Sequence, residues 1–154
     1  MKKLIAIVMM SLAVIMVGCN TKTKYESEVR QFYGLSLELM TQCAHQVGNA
    51  TLDDEIEYNQ QQAVIDSING KIIPLYDSIL KNKEDNGEYF NLVKEMRRAE
   101  INMMSALEMM KMNDEIGNLE MRNKHMDDYS ETQSRFIKAT EELSLILPKD
   151  DGEK

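Results

Sequence analysis

The stretch YFNLVKEMRRAEINMMSALEMM, Tyr89 to Met110, decides the fold. Tyr89, Leu92, Val93, Met96, Ala99, Met103, Ala106, Leu107 and Met110 recur at intervals of three and four residues. That spacing puts them on one face of an α-helix. Met96, Met103 and Met110 also repeat every seven residues. A helix of this kind is not stable alone; its apolar stripe must be buried against other elements. The helix is expected over Glu88–Met112, after a turn at Glu84-Asp85-Asn86-Gly87.

Three further segments carry the same period. Upstream, Tyr25–Val47 places Val29, Phe32, Tyr33, Ser36, Leu39, Met40, Cys43 and Val47 on one face, and Gly48-Asn49 supplies a stop. Thr51 and Asp53 are candidate N-caps for a second helix over Asp53–Lys83. Its stripe reads Ile56, Ala63, Val64, Ile68, Ile72, Leu75, Ile79 and Leu80. Pro74 removes one N–H and crowds the carbonyl four residues back, so a kink is expected near Gly70–Ile73, with a full break as the alternative. Downstream, Asn113–Asn118 with Gly117 reads as a tight connection, though a single rod through Gly117 is also open. A last helix runs to Leu147 with Leu119, Met126, Tyr129, Phe136, Ala139, Thr140, Leu143, Ile146 and Leu147 on one face. Pro148 stops it, and residues 148–154 form an acidic, disordered tail. Four helices of similar length, roughly 35–45 Å at 1.5 Å per residue, joined by short loops, imply an all-α fold. Residues 25–147 are expected to form an antiparallel up-down-up-down four-helix bundle.

The amino-terminal residues have a different character. Lys2 and Lys3 precede Leu4–Val17, an uncharged run whose one hydroxyl is Ser11. The run falls short of the ~20 apolar residues that a membrane-crossing helix needs and fits the apolar core of a secretory signal. It ends at Met16-Val17-Gly18-Cys19. This resembles a bacterial lipoprotein signal with its lipobox. Val17, Gly18 and Cys19 match the last three motif positions, and Met16 stands where Leu, Val or Ile is usual. The resemblance implies that residues 1–18 are cleaved and that the Cys19 thiol receives a diacylglyceryl group. Acylation (palmitate or a similar chain) of the new amino terminus is often added. Several acyl chains, at ~0.8 kcal/mol per buried CH₂, give a stable membrane anchor. Residues 19–24 would then be the lipidated Cys and a short tether, reaching at most ~17 Å when extended. Asn20 is not Asp, and by the enterobacterial sorting pattern that favours the outer membrane, facing the periplasm, in a Gram-negative host.

Charge narrows the partners. The chain has 18 basic and 26 acidic residues, a net charge of −8. Removing residues 1–19 takes Lys2 and Lys3 and no acid, so the mature charge is −10. Such a surface disfavours nucleic acid and suits solubility, a basic protein partner or cations. With Cys19 committed to lipid, Cys43 has no disulfide partner, and its helical position makes it a small buried hydrophobe.

Catalytic and cofactor motifs are missing. The residues three before His45 and His125 are Gln42 and Arg122, so the Glu-x-x-His pairs of di-iron bundles are absent. There is no haem-attachment motif, zinc set, phosphate loop or nucleophile elbow. No enzyme activity and no cofactor is expected. Methionine is the oddity: 8 of the 13 lie between Met96 and Met126. Soft thioethers select Cu(I), and Met109, Met112, Met121 and His125 are the candidate ligands. The plainer reading is that Met fills core gaps. Burial of Met103, Met104, Met109, Met110 and Met112 decides between a core and a binding surface. Asp66-Ser67-Ile68 and Asp77-Ser78-Ile79 resemble the three-residue O-glycosylation motif of Bacteroidetes envelope proteins, with Ser67 and Ser78 as acceptors. The function expected is a non-catalytic envelope lipoprotein whose bundle binds another envelope protein as accessory, inhibitor or immunity factor. A Met-rich ligand-binding or copper-buffering protein of the periplasm is the alternative.

Overall fold

Each of the four periodic segments forms one helix. The computed structural model describes residues 2–49, 55–82 and 87–147, with side chains over 24–47, 55–82, 87 and 89–147. The helices are α1 (Lys2–Asn49), α2 (Glu55–Lys81), α3 (Gly87–Glu115) and α4 (Leu119–Ile146). No strand occurs among the described residues.

Side-chain contacts fix the topology. Ser78 on α2 donates to Glu28 on α1 at 2.9 Å, while Gln61 on α2 reaches Gln42 on α1, so α1 and α2 are antiparallel. Tyr89 Oη donates to the Ile146 carbonyl at 3.2 Å, and Arg122 pairs with Asp114 at 3.3 Å, so α3 and α4 are antiparallel too. The Tyr25 and Tyr89 rings lie 6.1 Å apart, Tyr25 midway along α1 and Tyr89 near the start of α3, so these two helices run parallel. The order is therefore up-down-up-down. The closest pairings are α3 with α4 and α1 with α2; α1 then meets α3, and α2 barely touches α3.

The core follows the periodic stripes. Val29, Phe32, Leu39 and Cys43 of α1 and Val93, Met96, Met103 and Met110 of α3 are fully buried. Ile68, Ile72 and Ile79 of α2 and Tyr129, Phe136 and Leu143 of α4 complete it. Full burial of one Leu, Ile, Met or Phe side chain contributes about 1.5–3 kcal/mol, so the core rests on many such increments.

Several boundaries and faces differ from the sequence expectation. α1 does not begin at Tyr25 but runs unbroken from Lys2, so residues 20–24 are helical backbone rather than an extended tether. Five helical residues rise only ~7.5 Å. Gly48 and Asn49 are the last two residues of α1, where the sequence places its stop. α2 passes through Pro74 as one helix. Pro74 and Gly70 both face solvent, so water can satisfy the carbonyl that Pro74 deprives of a partner. On α2, Ile56 is 71% exposed, and Ala63 and Val64 also face out; Tyr58 and Ile65 take their place in the core. Positions 58, 65, 68, 72 and 79 are the true stripe, with the polar Gln61 and Gln62 half-buried within it. Leu119 is likewise exposed, since it opens α4 at the turn. Thr51, Asp53, Glu84–Asn86 and the 148–154 tail lie outside the described residues.

The α3–α4 connection is a turn, as Gly117 suggested. Gly117 takes a φ of +72°, the left-handed conformation in which a Cβ is strained. Its N–H bonds the Asp114 carbonyl at 2.9 Å and the Asn118 N–H bonds Asn113 at 2.8 Å, the paired closure of a Schellman motif. The Asn118 side chain then caps α4 by accepting from the Met121 N–H. Asn113 and Asp114 belong to α3 itself. Gly34 and Gly70 differ from Gly117: both lie inside helices, and an added Cβ would meet no atom within 4 Å. Gly117→Ala is therefore expected to cost about 1–2 kcal/mol. Gly34→Ala and Gly70→Ala should each stabilise by about 0.5–1 kcal/mol. Urea midpoints of the three variants check the opposite signs.

Candidate functional site

Polar groups interrupt the apolar core at mid-bundle. Arg97 and Glu100 lie one turn apart on α3, and Arg97 Nη1 donates to Glu100 Oε2 at 2.9 Å. The Glu100 side chain is completely buried and that of Arg97 is 9% exposed. Glu100 sits four residues after Met96 and three before Met103, inside the stripe itself. That position is the signal that charge-based reading passes over. Burial pushes the Glu100 carboxyl above its usual range, while Ser36 on α1 and the Arg97 guanidinium pull it back. The pull from Ser36 comes without a closed hydrogen bond, since its hydroxyl and Glu100 Oε1 both lack a partner among the described residues. Cys43 is also fully buried on α1. Burial, with a smaller effect from Glu100, pushes its thiol up to about 12. Burial raises the Tyr129 phenol as well. Burial thus keeps the Cys43 thiol and the Tyr129 phenol protonated at neutral pH.

Arg97, though buried, also lines a surface groove. Because α2 and α3 barely touch, a groove of about 630 Å³ opens between them. Ile73, Tyr76 and Asp77 form its α2 wall; Lys94, Glu95, Arg97, Arg98, Ile101 and Asn102 lie on its α3 side. Ile73 is 43% exposed and Ile101 49% exposed. Lys94 Nζ stands 5.2 Å from the Phe90 ring centre, and Arg98 pairs with Glu95 at 3.7 Å. That pair is solvent-exposed and worth at most ~1 kcal/mol. The groove thus has exposed Ile73 and Ile101 on its two sides, and two of its three cations are already paired, Arg97 with Glu100 and Arg98 with Glu95.

The residues singled out from the sequence distribute unevenly. Met96, Met103 and Met110 are fully buried, Met104 and Met109 half-buried, and Met112 is 49% exposed. Met109 and His125 line one cleft between α3 and α4, whereas Met112 lines another against α2 and Met121 is half-buried on α4. The four sulfur and imidazole candidates are not gathered into one site. Among the described residues no three His, Cys, Asp or Glu side chains cluster as a metal site would need. Ser67 is exposed on α2, while Ser78 is held by Glu28; the Ile68 and Ile79 that follow them are core residues. The side chains of Gly18 and Cys19 lie outside the described ones. Among described residues no helix is long and apolar enough to cross a membrane. No family model, curated protein or solved structure matches this chain.

The buried pair sets two measurable expectations. Arg97→Met leaves the Glu100 carboxylate without its cation and should cost about 3–5 kcal/mol, and adding Glu100→Met should restore most of the loss. A double-mutant cycle in urea reads both. Glu100→Gln tests the raised carboxyl. Below the ordinary carboxylate range Glu100 is protonated folded and unfolded, and the variant's midpoint should track the native one. As pH rises through the raised folded value, the unfolded state releases the proton first, so the native chain loses stability relative to Glu100→Gln. Cys43 gives a third expectation: iodoacetamide at pH 8 should leave its thiol unmodified in the folded chain and alkylate it in urea, seen as a mass shift.

Proposed function

We propose that the chain is a lipid-anchored protein of the bacterial envelope, with a non-catalytic helical bundle that binds another envelope protein. The anchor half rests on Val17-Gly18-Cys19 at the end of the Leu4–Val17 run. In this reading residues 1–18 are removed, Cys19 carries the acyl chains, and the bundle lies against the outer membrane of a Gram-negative cell on its periplasmic side. The partner half rests on one observation: the seam between α2 and α3 is left open, with Ile73 and Ile101 half in water. Exposed apolar residues in a groove rimmed by charge are what an accessory, inhibitor or immunity protein presents to its partner.

A second reading, ligand or copper binding, draws on the cleft that Met109 and His125 share. His125 Nε2 is buried there without a hydrogen-bond partner. Asp128, Glu131 and Arg135 line the same cleft, and Glu131 pairs with Arg135.

The test has two arms. Mass spectrometry of the mature protein should find an acylated Cys19 as the first residue; an unmodified Cys19 or a different start overturns the anchor. A photo-crosslinker at Ile101 should trap one discrete envelope protein in cells, while one at exposed Glu141 should not. Equal, diffuse labelling from both sites overturns partner binding. Cu(I) titration against a micromolar chelator decides the second reading, which falls if the protein does not compete.

A further inference from the structure

We infer that Glu100 is a proton-operated latch between α2 and α3: its Oε1, once protonated, donates to Asn69 Oδ1 and ties the two helices together. Helix register brings the groups to one level. α1 and α3 run parallel and are matched at Tyr25 and Tyr89. Eleven residues on from these stand Ser36 and Glu100. α2 and α3 run antiparallel and are matched where Lys111 Nζ lies 4.0 Å from the Tyr58 ring centre. Eleven residues forward from Tyr58 is Asn69, and eleven back from Lys111 is again Glu100. Three helices thus present polar side chains at the same height, to within a turn. Ser36 Oγ, Asn69 Oδ1 and Glu100 Oε1 are all buried, and none has a hydrogen-bond partner among the described residues. Native proteins rarely leave such groups unpaired.

Counting hydrogens gives the switch. A carboxylate and an amide oxygen only accept, so the Ser36 hydroxyl supplies the one hydrogen. Donated to Glu100 Oε1, it leaves Asn69 Oδ1 unmatched. A proton taken from water onto Glu100 Oε1 adds the second hydrogen. Its O–H donates to Asn69 Oδ1 while the same oxygen still accepts from Ser36, and all three atoms are satisfied. The ionised state is held instead by Arg97, whose Nη1 donates to Glu100 Oε2 at 2.9 Å. Arg97 is the charged group that α3 sets against Glu100; α1 offers the Ser36 hydroxyl and the protonated Cys43 thiol, and α2 the neutral Asn69 amide. The Tyr89–Ile146 and Asp114–Arg122 contacts bring buried Phe136 of α4 to this height, and its neighbour Arg135 is exposed and paired with Glu131. Burial favours the uncharged carboxyl, so the proton binds above the ordinary carboxylate range. Acidification therefore closes the latch: α2 is drawn onto α3, and Arg97 loses its counter-charge beside the groove. Rising pH reverses both.

The test follows the Glu100 carboxyl carbon by NMR in the full chain in detergent, with Glu100→Gln to assign the signal. Glu100 should titrate at higher pH than the exposed glutamates. Ser36→Ala removes the donor to the ionised form and should move that titration higher still. Asn69→Leu removes the acceptor of the protonated form without admitting water and should move it lower. Spin labels on Asp77→Cys and Arg98→Cys, exposed on the two sides of the groove, should come closer as Glu100 takes up its proton. Glu100→Gln carries an N–H donor in place of the acid O–H and should hold the short separation at every pH. A Glu100 titration within the ordinary carboxylate range overturns the latch, as does a label separation that ignores pH. So does a shift to higher pH in Asn69→Leu, which would mean that Asn69 donates its N–H to an ionised Glu100.

Discussion

Two helical hairpins, α1–α2 and α3–α4, each bury only part of their apolar surface, and the contact between α1 and α3 covers the remainder. Everything else in the bundle depends on that seam. Tyr25 meets Tyr89 at one end of it, and Ser36 lies by Glu100 further along. α1 packs against α3 more closely than α2 does, and α2 meets α3 where Lys111 Nζ lies 4.0 Å from the Tyr58 ring centre.

The same contact explains why a charge is tolerated in the core. Glu100 is completely buried but is not alone: Ser36 and Arg97 both pull its carboxyl back down against the effect of burial. Exchanging such a pair for apolar residues is often neutral or stabilising, so stability alone does not require it. What the pair does is orient Arg97, whose other side faces the groove. The buried carboxylate thus reaches the surface through one guanidinium.

Much of the fold was legible in the residues. The α3 stripe from Tyr89 to Met110 lies in the core as its period requires. Gly117 was readable as a turn because only glycine takes a φ of +72° without strain. The failures share a physical cause. On α2 the apolar Ile56 and Val64 drew the stripe to the wrong face, because the true face is polar at its start. There Gln46 is fully buried beside Tyr58 and Gln62, and Gln61 reaches Gln42. Amide side chains that bond one another across a helix pair fill core space, which a hydropathy pattern does not register. Glu100 was passed over for the same reason. The groove was not legible at all, since it depends on the distance between two helices and on no motif in either.

The methionine ladder of α3 also acts as a record of exposure. Met96, Met103 and Met110 are fully buried, and Met112 on the same helix is half in water. A sulfoxide is polar and chiral, and the core has no space or partner for one. Mild oxidants can modify Met112 while the bundle stays closed, but reach the other three only when α3 separates from its neighbours. Once oxidised, those three would oppose refolding, so in an oxidising compartment each opening of the core carries a risk of becoming permanent. The ratio of oxidation at Met110 to that at Met112 is a built-in clock for how often this bundle opens.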